Sequence, residues 1–179
     1  MTLRHLHLEA LTRSHMVAEL RDDVARGRLY MSPWLTPGAQ EQLAAVLEVV
    51  LDRGTDEALA EVFTAPGVLQ RFERTSKGDP TRRPVPKAAP QILAEFLVNR
   101  YVVRGVCRRA LEEGIATVEV YRAREARNPR PASEKLIGAL VDAKELLDDL
   151  RDHASELEGR FGVPAIGSGL SVRLVSPDV

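Results

Sequence analysis

A single cysteine, Cys107, in 179 residues excludes an internal disulfide, and no Cys/His spacing along the chain fits a zinc site. Aromatic residues are scarce, at 4%, which argues against a surface on which single-stranded bases stack. Long apolar runs are missing as well. No stretch approaches the roughly 20 residues that a membrane-spanning helix needs. The first residues, MTLRHLHLEALTRSHM, carry charges and histidines every few positions, unlike the apolar centre of a signal peptide. Neither a Walker A loop nor a GxGxxG turn occurs, so no motif cradles a nucleotide phosphate. These absences lead to the expectation of a soluble, cytoplasmic protein with no cofactor, no metal and no membrane partner.

What is present is ordinary in amount and uneven in placement. Hydrophobic residues at 44% and charged residues at 28% are enough for one globular domain with a real core. The formal net charge of −1 conceals balances of −4 over residues 1–70, +7 over 71–130 and −4 over 131–179. A basic middle between acidic flanks has two readings. Either it meets an acidic partner such as nucleic acid, or the flanks fold back and neutralise it.

Turn residues and hydrophobic period divide the chain into a helical N-terminal segment (1–72), a basic, proline-rich loop or linker (73–90) and an α+β core domain (91–179). In the first segment the spacing predicts a helix from Leu3 to about Arg26 and a second after Thr36-Pro37, where Leu43, Val46, Leu47, Val50 and Leu51 share a face. Thr55 is placed to cap a third. In the loop, four prolines and five Lys/Arg residues without an apolar repeat read as exposed chain. Pro90 starts a long helix and Gly114 stops it. Residues 116–123 and 169–175 alternate as strands and are expected to pair. The fold class predicted is α+β, predominantly helical, with a small C-terminal sheet.

The long helix holds the most informative pattern. Ile92, Leu93, Phe96, Val103, Cys107, Ala110 and Leu111 fall in one arc at 100° per residue, which makes that arc the core face. Ala94, Val98, Val102 and Gly105 form a second, narrower strip of small or β-branched residues nearly opposite. A helix apolar on two sides is buried centrally or pressed against a partner. The strip is therefore a candidate contact surface with another copy or another protein. Arg104 and Arg108 run with Glu112 along an edge that reads as a wet, weakly paired ridge. Arg100 falls inside the core arc, where a charge that cannot be lost needs cover. It snorkels to water, forms a buried ion pair with Glu119 and Asp142 as candidate partners, or binds a ligand.

Searches for chemistry mostly exclude it. His7 and His15 stand two turns apart, too far to share a metal without a third ligand, and all four histidines read as surface groups. Glu145, Asp149, Asp152 and Glu156 form an acidic stripe that reads as a solvated face. Cys107, mid-helix and apolar-flanked, reads as inert filler. The sequence thus points away from catalysis and toward a protein-interaction or assembly module. The alternative is a nucleic-acid binder touching phosphates through Arg71, Arg74, Lys77, Arg82, Arg83, Lys87, Arg122, Arg124, Arg127 and Arg130.

Overall fold

The computed structural model describes residues 3–74, 79–125 and 130–175. Three helices come first. α1 (Ala10–Ala25) directly follows a non-helical opening segment, residues 3–9. α2 (Pro37–Arg53) begins with proline at its first position, where the missing N–H is no loss, and the Thr36 hydroxyl accepts from Ala39 N–H at 3.4 Å. α3 (Asp56–Thr64) is capped in the same way by Thr55, which accepts from Ala58 N–H at 3.3 Å. A two-stranded antiparallel hairpin follows, β1 (Phe72–Arg74) with β2 (Pro80–Pro84), in the segment that sequence pattern alone reads as loop.

The long helix, α4 (Ala89–Glu112), is unbroken. Beyond it lie β3 (Thr117–Arg122), the one-turn α5 (Pro131–Glu134), β4 (Leu140–Asp142), α6 (Ala143–Asp152) and β5 (Leu170–Leu174). Strand order is β4-β3-β5, antiparallel throughout, with Val120 opposite Val172 and Val118 opposite both Val141 and Leu174. Period-2 alternation sends Val118, Val120 and Val172 inward and leaves Glu119 facing Arg173 on the other side, 2.7 Å apart. The fold is therefore α+β and dominated by helix, and the two strands expected at 116–123 and 169–175 do pair.

α4 is the axle. It packs against α1, α3 and α6 and also against β3 and β5. One continuous cluster of buried apolar side chains joins Leu20, Leu47 and Leu59 from before the hairpin to Leu97, Val120 and Leu146 from after it. Each such side chain contributes roughly 1.5–3 kcal/mol by leaving water. Gly105 explains how α1 comes so close: a Cβ there would lie 2.7 Å from Met16 Cγ and 3.0 Å from the Thr12 carbonyl oxygen. No described helix is long and apolar enough to cross a membrane.

Candidate functional site

The residues ahead of α1 are not helical, although their spacing suggests it. They run as a strap across the molecule, pinned at four points. Leu3 N–H donates to Asp56 Oδ2 (3.4 Å), Arg4 N–H to the Ala123 carbonyl (2.8 Å) and Leu6 N–H to the Tyr121 hydroxyl (3.1 Å), while that hydroxyl donates to the Arg4 carbonyl (2.8 Å). Between the strap, the start of α3 and the end of β3 lies a half-open cleft of about 840 Å³. That size suits a small-molecule site. Leu3, Met16 and Val98 are among its apolar wall, and arginines and carboxylates stand around them, Arg4, Arg122 and Arg124 against Asp56, Glu57 and Glu125.

His5 is the unusual group in this wall. Both ring nitrogens are buried, and neither has a hydrogen-bond partner among the described residues. Burial, helped by the nearby Arg13 charge, pushes its pKa down to about 4, so the ring is neutral at pH 7 and presents one donor and one acceptor. Arg13 itself is fully employed, donating to the carbonyls of Leu8, Leu51 and Gly54 at 3.0–3.3 Å. Burial also raises the Asp56 carboxyl above its ordinary range, against the opposing Leu3 N–H. Glu95, beneath the rim, is raised by burial as well, although Arg124 sits 3.0 Å away. Thr55, the hydroxyl in this wall, serves as the α3 cap. The arrangement can bind and desolvate a ligand; among the described residues that line it, the Thr55 hydroxyl has no hydrogen bond to His5 or to a carboxylate.

Several residues singled out in the sequence lie elsewhere than expected. Ala94, Val98, Val102 and Gly105 are buried within the chain, with Gly105 under α1, and of the four only Val98 reaches the cleft wall. Arg100 does not pair with Glu119 or Asp142. It donates to the His153 carbonyl (3.0 Å) and stacks over Phe96 (5.0 Å), whereas Glu119 holds Arg173 and Asp142 caps α6 by accepting from Glu145 N–H. Arg104 departs most from expectation. Read as part of a wet ridge, it has 0% of its side chain exposed and is clasped by Glu19 and Asp23 of α1. Glu112, its supposed ridge neighbour, pairs with His15 (2.7 Å). Asp149, assigned to a solvated stripe, is fully buried, accepts from Arg160 (3.0 Å) and Phe161 N–H (3.3 Å), and lies 3.0 Å from His153.

The basic set divides in two. Arg71, Arg74, Arg82, Arg83 and Lys87 are exposed on or beside the hairpin, and Arg130 is exposed further on. Arg122 and Arg124 instead stand at the cleft, tied to Glu134 and Glu95. Lys77 and Arg127 lie outside the described residues. Cys107 is buried mid-helix, and burial pushes its thiol pKa up, away from reactivity.

Sequence reasoning missed His5, because nothing in its spacing announces a cleft assembled from three distant segments. Arg104 did leave a signal: Glu19 and Asp23 are four apart on α1, a spacing that puts both carboxylates on one face. No protein-family model, no curated protein and no solved structure matches the chain.

Proposed function

We propose that this is a non-catalytic binding protein whose cleft takes a small amphipathic molecule with a polar head of mixed charge and an apolar body, in the manner of a free amino acid with an apolar side chain. The observation that carries this reading is His5, a neutral imidazole with two buried nitrogens that have no partner among the described residues, in the wall of this cleft. A buried polar atom without a partner costs about 1–3 kcal/mol, and a ligand that supplies the partner recovers that cost. The apolar wall formed by Leu3, Met16 and Val98 suits a hydrocarbon body. Four arginines and three carboxylates line it, so both signs are on hand, which suits a zwitterion better than an ion of one sign.

The test is a titration of ¹⁵N-histidine-labelled protein with leucine and with phenylalanine, following the His5 ring nitrogens. A saturable shift confined to His5, accompanied by a raised melting temperature and lost in His5→Leu, is expected. Unmoved ring signals with both amino acids would remove the proposal.

A second reading keeps nucleic acid as partner through the hairpin alone, favoured by the exposure of Arg71, Arg82, Arg83 and Lys87 there. Such contacts are backbone-directed and lose affinity steeply with salt. Fluorescence anisotropy of a labelled duplex at low salt decides it: no binding there dismisses the reading.

A further inference from the structure

Around Arg104 the charges do not come out even. Glu19, with its side chain 2% exposed, accepts from Arg104 Nε (2.8 Å), from Arg151 Nε (3.1 Å) and Nη2 (2.6 Å), and from Arg108 Nη1 (3.4 Å), while Arg104 Nη2, which donates to Asp23, also lies 2.6 Å from it. A carboxylate offers about four lone-pair sites, so these four N–H groups use all of them and the remaining N–H groups of Arg108 and Arg151 find no place on it. Arg108, at the longest distance, is the most weakly held. Asp23 does not relieve it, being taken by Arg104 and by the Tyr101 hydroxyl at 3.0 Å.

Arg108 and Arg151, each about one third exposed, open onto a second cavity of about 620 Å³ between α1 and α6. Arg28 lies in the same wall, and its Nε is buried with no partner among the described residues. Besides Glu19, three carboxylates share the cavity, but two are already engaged. Asp22 accepts from Arg26 (2.8 Å) and Arg28 (3.1 Å), and Asp148 from Lys144 (2.6 Å). The third, Asp152, is exposed.

The geometry points to an oxyanion site here: a phosphate group held by Arg28, Arg108 and Arg151, taking the N–H groups that Glu19 and Asp22 leave unserved. Guanidinium forks match phosphate oxygens in pairs, which makes such a set more selective than a mere excess of positive charge. The cavity is much larger than the ion alone. Either free phosphate or the phosphate of a small ester satisfies the same donors.

Isothermal titration at low ionic strength with inorganic phosphate and, separately, with glycerol 3-phosphate tests this. Saturable binding is expected, weakened about tenfold in Arg108→Gln, a change that leaves the buried Arg104 pairs intact. Arg28→Gln provides the same test without touching Glu19, should the first variant unfold. Equal affinity for the two probes assigns the free ion as ligand, and tighter binding of the ester assigns a carried phosphate. Absence of heat with both probes at millimolar concentration overturns the site, as does affinity unchanged in both variants.

Discussion

Arg100 and Arg104 stand one turn apart on α4, and both are buried, yet they meet opposite surroundings. Arg104 is enclosed by two carboxylates delivered by α1. Burial alone lowers its pKa, but Asp23 and Glu19 more than reverse this and hold it above the ordinary value. Arg100 has one carbonyl and one aromatic face, with Nε and Nη1 left without partners among the described residues, and burial holds its pKa below the ordinary value. Desolvation of both is similar; what differs is the helix overhead. Buried charge is structural where a neighbouring element supplies the counter-charge, and unresolved where none does.

The strongest way to break this comparison is Arg104→Met. It leaves Asp23 buried with only the Tyr101 hydroxyl and a distant Arg28 (3.8 Å), and Glu19 with Arg151 and Arg108 at the rim. Removing one member of a buried pair costs about 3–5 kcal/mol. Urea unfolding followed by circular dichroism should show that loss with an unchanged slope. A loss under about 1 kcal/mol would mean that the cluster is no anchor, since that is the scale of an exposed pair.

How much of this was legible beforehand follows from the same pair of residues. A helical wheel locates faces of α4, and the long helix, the caps of α2 and α3 at Thr36 and Thr55 and the pairing of β3 with β5 could be read from local pattern. The wheel cannot say which face receives a carboxylate. Arg104 looked wet because it lay beyond the apolar arc, while Glu19 and Asp23, some 80 positions earlier, showed nothing about where α1 would dock. Three-residue strands such as β1 and β4 carry too few alternations to be seen. The cleft failed for a further reason: its strap reads as the first turns of α1, and the bonds that hold it out of the helix go to Asp56, Tyr121 and Ala123, all distant in sequence.

A second, smaller effect sharpens the contrast between the paired cluster and the cleft. His5 titrates near 4 in the fold and near 6.5 when unfolded. Above pH 6.5 neither state is protonated and the group is silent. Between 6.5 and 4 the unfolded chain binds the proton and the native one does not, so stability falls with falling pH, by about 3 kcal/mol once both values are passed. Asp56 and Glu95, both raised, work the other way in acid. The readout is therefore the difference in unfolding free energy between the parent and His5→Leu as pH falls. Glu19, depressed overall because Arg151 and Arg104 outweigh its burial, contributes stability above its unfolded value of 4.5 and loses it only below that. A pH-independent difference between parent and His5→Leu would place the imidazole in water and empty the cleft of its main polar feature.

The smallest expected effect is the most discriminating. Arg100→Met removes a charge that has no carboxylate partner and keeps a long apolar stem of similar volume over Phe96. If Arg100 were an anchor like Arg104, the melting temperature would fall by several degrees, as about 1 kcal/mol does in a domain of this size. Since the charge is desolvated without repayment, its removal should leave the midpoint unchanged or raise it. The two substitutions share a helix, a residue type and a replacement, so propensity and volume cancel between them. What remains is the presence or absence of α1's carboxylates. A drop for Arg100→Met matching that of Arg104→Met would show that a carbonyl and an aromatic face can hold a guanidinium as firmly as two acids do, and the distinction between the two sites would then be lost.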